Sequence, residues 1–211
     1  MTYLDVKLHP AVLSGYHEPK YTSQTASIQA FGLVLKALQY EDLPSFLYWR
    51  NKQNVRNAMP ITDKISYSSL HFWYKKQEHS SHSYSYLAYL DNTPIAFTDL
   101  INIDYEGSRG EGGLFIFDDR YLATGIAYHI VLCKEILMHY LNIRTLISKM
   151  KLDNTESIKF CESYGGRLVR QEGDMLIYAS EYNERRSALK RIASLIRREQ
   201  DFQTYLGDSE V

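Results

Sequence analysis

The sequence predicts an α/β domain built on a mixed sheet, and three observations predict it. Short runs rich in β-branched and aromatic residues are separated by turns containing Gly, Asn or Asp. In the second half, apolar runs alternate with segments whose apolar residues recur at helical spacing. The chain is 45% hydrophobic and 23% charged, which is globular usage and excludes a disordered chain. Its 211 residues fit one domain with decorated ends.

Residues 1–28 read as a peripheral extension, with Pro10, Gly15, Pro19 and several Ser and Thr. Residues 31–37 (FGLVLKA) read as the first strand. Tyr40-Glu41-Asp42-Leu43-Pro44 opens a helix, with acids and a proline in its first turn, and Leu43, Phe46 and Leu47 share a face. A second helix starts at residues 66–69 and carries Leu70, Phe72, Trp73 and Tyr74. His79-Ser80-Ser81-His82 reads as a polar loop. Strands at 84–90 and 94–103 meet at the Asp91-Asn92-Thr93 turn, a hairpin signal. Residues 113–117 form another strand after Gly110-Glu111-Gly112.

The second half continues with an amphipathic helix over 125–141, whose apolar residues include Ile126, Ile130, Val131, Ile136, Leu137 and Leu141. A strand at 144–150 follows. Asp153-Asn154-Thr155-Glu156 then opens a helix that Gly165-Gly166 ends. Strands at 167–170 and 175–179 complete the sheet, giving the order βααβββαβαββ. A basic amphipathic helix over 184–202 closes the chain, with Leu189, Ile192, Leu195 and Ile196 suited to docking on the domain or on a second subunit, as in a homodimer.

Composition narrows the function. A formal net charge of -1 gives no overall field towards nucleic acid or an anionic membrane. No apolar run is long enough to span a bilayer, and the first residues lack the pattern of a secretory signal. The expected location is therefore the cytoplasm. Cys133 and Cys161 read as free thiols, and no His/Cys cluster has the spacing of a metal site.

The stretch from Gly113 to Ala127 carries the most chemistry. It is an apolar strand, a short turn, and then small residues opening a helix. A helix start offers unpaired N–H groups and the positive end of the dipole, and small residues let an anion approach, so this is a diphosphate site or a plain helix N-terminus. Tyr121-Leu122-Ala123-Thr124-Gly125-Ile126-Ala127 resembles the coenzyme A loop of the GNAT acetyltransferases, which reads Tyr-Trp-Gly-Lys-Gly-Ile-Ala in the ribosomal-protein and nucleotide-sugar branches. Leu122, Ala123 and Thr124 are the departures. Asn154-Thr-Glu-Ser157-Ile-Lys-Phe160-Cys161-Glu-Ser-Tyr164-Gly165-Gly166 resembles a second GNAT motif, Asn-x-x-Ser/Ala-x-x-Leu-Tyr-x-x-x-Gly-Phe.

The resemblance covers residues 31–180 and implies a mostly antiparallel mixed sheet whose parallel strands splay around acetyl-coenzyme A. It implies an acetyltransferase domain over 29–180, with 181–211 as a C-terminal helix and tail. It further implies that the cofactor binds the backbone of Leu114, Phe115 and Ile116, the loop residues Leu122, Ala123, Thr124, Gly125, Ile126 and Ala127, and Asn154 and Ser157. Cys161 stands where the family has a tyrosine that protonates the departing thiolate. Cys161 is a candidate for that role or a packing residue, and Tyr164 is a substitute donor or likewise a packing residue. Glu111 and Asp99 are candidate bases for the acceptor amine, or ordinary ion-pair and turn residues.

Residues 49–59 (WRNKQNVRNAM) resemble the Trp-Arg-Asn segment of enzymes acting on nucleotide-linked amino sugars, and residues 96–103 resemble the central strand of the acetyltransferases of pseudaminic acid biosynthesis. These matches imply an acceptor that is a small amine, a UDP-linked 4-amino-dideoxy sugar, contacted by Trp49, Arg50, Asn51 and Met59. A protein N-terminal amine, another small amine, or a GNAT-fold module that binds without catalysing are the rival readings.

Overall fold

The computed structural model describes residues 27–78 and 80–207; residues 1–26 of the N-terminal extension, His79 of the polar loop and residues 208–211 lie outside the described residues. A nine-stranded sheet runs through the molecule in the order β1-β2-β3-β4-β5-β7-β9-β8, with β6 paired to β4. The strands are β1 (Ser27–Ala30), β2 (Leu33–Ala37), β3 (Tyr84–Leu90), β4 (Thr93–Asp104), β5 (Arg109–Glu111), β6 (Leu114–Ile116), β7 (Thr145–Lys151), β8 (Gly166–Glu172) and β9 (Met175–Glu181). Every pairing is antiparallel except β5 with β7.

Helices cover both faces. Helices α1 (Leu43–Arg50), α2 (Gln53–Ala58) and α3 (Tyr67–Gln77) close one apolar cluster with Leu87, Phe97 and Phe117 of the sheet. Helices α4 (Ile126–Tyr140), α5 (Thr155–Ser163), α6 (Tyr182–Leu195) and α7 (Glu199–Leu206) close a larger cluster on the other face. Local chemistry starts these elements where it should. Pro44 sits in the first turn of α1, and Ser66 caps α3 by accepting the Ser69 N–H at 3.1 Å.

The structure corrects several expectations. The strand expected at 31–37 begins at Leu33, because Phe31 and Gly32 both have positive φ and form a two-residue hairpin turn back to β1, whose first two residues fall within the expected peripheral extension. Residues 109–111 form a separate strand, β5, in a stretch between the strands expected at 94–103 and 113–117. The single terminal helix is two, broken at Arg197 with φ 58.

Helix α4 is also not amphipathic in place. Residues 130–138 are all buried, because α6 and α7 lie over the side that the sheet does not cover. That burial traps two charges, Lys134 and Glu135. Glu135 is matched by Arg185 of α6, itself 0% exposed, at 2.6 Å from Nε to Oε2 and 3.3 Å from Nη2 to Oε1. The guanidinium also donates to the carbonyl of Arg144 at 3.2 Å. The pair locks the α6 helix to α4.

Breaking one side of a buried pair leaves an uncompensated charge, which typically costs about 3–5 kcal/mol. Glu135→Gln should therefore lower the urea-unfolding free energy by about 3 kcal/mol, while Glu135→Leu with Arg185→Met should recover most of that loss. Equal losses in the single and double variants would show that packing, and not the charge, is what the pair supplies.

Candidate active site

The site begins where two parallel strands stop pairing. β5 and β7 run together from Arg109↔Thr145 to Glu111↔Ile147, and the Gly112 N–H makes the last bond, to Ile147 O at 2.9 Å. Beyond it β7 continues with β9, while the chain of β5, already paired with β4, swings away from β7 and stays on β4 as β6. The swing is built from both sides. β4 bulges between Ile101 and Asp104 with Asn102 at φ 51, and bulges bend strands. Gly112 packs too closely for a side chain, since a Cβ there would lie 2.8 Å from Leu146 Cδ1 and 3.0 Å from Lys134 Nζ.

The result is a wedge between β6 and β7. Gly113 O accepts from Asp99 N at 3.2 Å and Phe117 N donates to Ile95 O at 3.1 Å, so the odd residues of β6 face β4. Antiparallel alternation then points the backbone groups of Leu114 and Ile116 into the wedge and those of Phe115 to β4. The Phe115 ring packs with Phe46, Phe97 and Phe117 on the α1–α3 face.

One end of the wedge is the turn into α4. Asp118 Oδ1 accepts the Arg120 N–H at 3.2 Å, and Tyr121, Leu122 and Thr124 turn on successive backbone bonds. Thr124 Oγ1 donates to Tyr121 O at 2.8 Å, so its hydroxyl is engaged within the loop. Ala123 has φ 58 and Gly125 has φ 84. This double left-handed turn is why glycine suits position 123, and alanine tolerates it at a cost of about 1–2 kcal/mol. Among the described hydrogen bonds, the amides of Ala123, Gly125, Ile126 and Ala127 have no partner, as expected at a helix start. A Cβ on Gly125 would meet nothing within 4 Å, so the space before these amides is open. Such a cradle fits a diphosphate.

Helix α5 flanks the wedge on the α4 side. Asn154 caps it, accepting the Ser157 N–H at 3.2 Å, and its Nδ2 donates to Ala58 O at 3.3 Å. Tyr128 OH and Ser163 Oγ, 3.0 Å apart, tie α4 to α5. Cys161 is buried beside Gly166, with its thiol in the space that a side chain at Gly166 would need. Burial pushes the Cys161 thiol up, opposed by hydrogen bonds with Tyr164 and Ser148. Burial likewise pushes the Tyr164 phenol well up. Both groups therefore hold their protons at neutral pH, the state that a donor needs.

The opposite face gathers the acids. Asp99 Oδ1 accepts the Gly113 N–H at 2.6 Å. Burial raises the Asp99 carboxyl above the usual range, the Lys134 ammonium and the Gly113 N–H pull it back, and Glu111 pushes it up again. Glu111 itself is ion-paired to Lys149 at 2.9 Å. Above this face stands the segment 49–59. Trp49 stacks on Phe117 at 4.0 Å. Asn51 clasps the Ile65 backbone from both sides at 2.9 Å, and Lys52 reaches Phe117 O at 2.7 Å. Met59 packs on the apolar cluster below. Arg50 donates to Ile61 O at 3.1 Å and Arg56 to Thr62 O at 2.8 Å. Arg50 Nη1 is buried without a hydrogen-bond partner, and its pKa is lowered by burial and then by Arg56.

Sequence reasoning missed Lys134 and Thr98, which converge on Gly113 at the apex of the wedge, and Ser148, which stands beside Cys161 and Tyr164. Thr98 Oγ1 and Lys134 Nζ both donate to Gly113 O, at 2.8 and 3.3 Å. The available signal was Lys134-Glu135, a charged pair inside an otherwise apolar helix run. Among the described residues no three His, Cys, Asp or Glu side chains stand together as a metal set, and no helix is long and apolar enough to cross a membrane.

Residues 32–167 match the model of a family described as acetyltransferase (GNAT) domain. No curated protein matches the chain in sequence. Among solved structures, the spermidine N-acetyltransferase of Vibrio cholerae in complex with CoA and spermine superposes with a TM-score of 0.63 at 18% identity, covering 73% of this chain and 98% of that one. A domain from Methanocaldococcus jannaschii gives 0.63 at 15% identity, over 71% and 97% of the two chains. AAC(6')-Ib in complex with ribostamycin and coenzyme A gives 0.63 at 12% identity, over 72% and 95%. These likenesses establish a shared fold.

Gly125→Glu should fold, because the position is open, with only the left-handed backbone cost of about 1–2 kcal/mol. Its carboxylate would stand before the free amides, so calorimetric binding of coenzyme A should fall below detection. Unchanged affinity in the folded variant would remove this loop from the site.

Proposed function

The chain belongs to the GNAT acetyltransferase family, and on that premise we propose that it transfers the acetyl group of acetyl-coenzyme A to the amine of a nucleotide-linked amino sugar. It is an acetyl-coenzyme A-dependent N-acetyltransferase; the proposal concerns the acceptor and the residues that serve it. The observation that carries the acceptor is the Arg50–Arg56 pair. Both guanidiniums are held by backbone carbonyls, neither has a carboxylate partner among the described residues, and burial and then the charge of Arg56 lower the pKa of Arg50. A diphosphate would relieve that repulsion with charge-assisted hydrogen bonds.

Acetyl-coenzyme A supplies the activated acetyl thioester. The diphosphate lies before the amides of Gly125, Ile126 and Ala127, and the pantetheine borders the backbone of Leu114 and Ile116 in the wedge. The acceptor comes from the α1–α3 face, between the segment 49–59 and Asp99. Asp99 takes the proton that the acceptor ammonium must lose before attack, with Oδ1 fixed by the Gly113 N–H and Oδ2 left for the amine. Glu111 serves less directly, since Lys149 occupies it. As the C–N bond forms and the C–S bond breaks, the thiolate gains a proton and the nitrogen loses one. Cys161 and Tyr164, both protonated and hydrogen-bonded together beside Ser148, are the donors at hand.

Two measurements test this reading. In a screen of UDP-amino sugars, polyamines and N-terminal peptides, the amino sugars should be acetylated, and Arg50→Ala should raise their KM by roughly ten- to hundredfold, the worth of one charged hydrogen bond, without a matching change for acetyl-coenzyme A. Acetylation of a polyamine or peptide in place of the sugars would overturn the acceptor. Cys161→Ala should keep most of the wild-type kcat, since the thiol packs on Gly166 and Tyr164 remains. A fall of about 100-fold or more in the folded variant would instead make Cys161 the donor.

A further inference from the structure

Lys134 is a buried cation that the scheme above does not use. It sits on α4 and is 5% exposed. Its ammonium has no direct carboxylate bond among the described contacts; its one hydrogen bond goes to Gly113 O at 3.3 Å. That oxygen also receives Asp99 N at 3.2 Å and Thr98 Oγ1 at 2.8 Å, so three donors converge on one carbonyl. The N–H of the same glycine goes to Asp99 Oδ1 at 2.6 Å. Lys134 and the Asp99 carboxylate therefore meet at one residue, at the point where the wedge opens.

They approach it from opposite faces. A side chain at Gly112 would run into Lys134 Nζ, whereas one at Gly113 would lie 3.0 Å from Asp99 Oδ1. Residues two apart in a strand share a face, so Asp99 lies on the side of Phe97, which packs with α1–α3, whereas α4 packs on the other side. Asp99 thus lies on the acceptor face and Lys134 beneath it. An apolar side chain of similar length would be cheaper to bury, because desolvating an ammonium costs more than a single long bond returns.

We propose that Lys134 is a positioning residue for deprotonation of the acceptor amine: from beneath the sheet its ammonium pins the Gly112–Gly113 kink and holds the Asp99 carboxylate, across the shared glycine, in the form and place that a base needs. The inference rests on the reading of Asp99 as that base. The surrounding charges fit it. Burial pushes Lys134 down to about 8, and the neighbours acting on it are Asp99 from β4, Arg185 from α6, Glu135 on its own helix and Cys161 from α5. Arg185 and Glu135 are matched to each other. Asp99 in turn feels Lys134 and, in the opposite sense, Glu111. Lys134 is the cation that offsets the burial of Asp99.

The sign is fixed by the charge. Without the ammonium, Asp99 holds its proton to higher pH, so the acid limb of kcat/KM moves upward, on the order of one pH unit. Two variants separate charge from anchoring. Lys134→Met removes both, and Lys134→Gln keeps a donor for Gly113 O while removing the charge. The Asp99 carboxyl carbon, assigned by its absence in Asp99→Asn, is followed by NMR titration in the full-length protein. This readout needs neither acceptor nor activity and stands on Lys134→Gln alone if Lys134→Met does not fold. The expected result is an upward shift of both the NMR midpoint and the rate limb in Lys134→Gln. An unmoved midpoint would overturn the inference whatever the acceptor proves to be. A moved midpoint with an unmoved rate limb would overturn Asp99 as the base, and with it the catalytic part of the role given to Lys134.

Discussion

The N–H of Gly112 bonds Ile147 O, and after that bond β6 and β7 part. A mixed sheet has no intrinsic reason to open there, because each unpaired strand edge leaves donors and acceptors unsatisfied. The opening persists because other elements take the chain away. The β4 bulge at Asn102 bends its strand, Thr98 and Asp99 capture Gly113, and β6 is committed to β4 before it can follow β7. The exposed backbone of Leu114 and Ile116 and the open turn at Gly125 then lie along one channel. The cleft is thus a consequence of where hydrogen bonds stop.

The same apex explains the charge buried in α4. In a helix enclosed on all sides, Lys134 and Glu135 each need a partner. Glu135 finds a bidentate one in Arg185, which also ties down carbonyls near the end of β9 and the start of β7. That pair orders the C-terminal helix against the sheet. Lys134 finds only a carbonyl and a carboxylate one peptide unit away. Adjacent residues of one helix turn thus serve different ends, one closing the back of the domain and the other acting on its front.

Much of this was legible in the sequence, and the misses share a cause. The strand–turn–helix at residues 113–127 and the Asn154 cap depend on local chemistry, and small residues and cap residues announce themselves. The left-handed turn at Ala123 was visible only as a departure from a family glycine. β1 escaped because Phe31 in a hairpin turn reads as a strand residue; its aromatic ring is used against Tyr205 of α7, a contact that no local pattern encodes. β5 escaped because three residues with a glycine at their centre and glycines after them have no periodicity, and only their neighbours make them a strand. Glu135 escaped because helical spacing sets it opposite the apolar stripe, and the Arg185 that covers it arrives fifty residues later; Lys134 lies within that stripe, between Ile130 and Leu137, and its partner is a glycine carbonyl of the sheet, which no local pattern encodes.

The Trp-Arg-Asn segment shows what a motif does and does not report. Its residue types suggest direct contact with an acceptor, yet most of its polar atoms are spent on the protein. Asn51 completes the backbone of Ile65, Lys52 fixes the end of β6, and Trp49 lies flat on Phe117. These contacts hold the segment 59–65 over the acceptor face and join it to the turn that leads into the α4 cradle. Arg50 and Arg56, like Lys52, hydrogen-bond to backbone carbonyls and have no carboxylate ion pair among the described residues. Under the proposed acceptor, selectivity rests on what neutralises these two guanidiniums, and the rest of the motif is the scaffold that holds them.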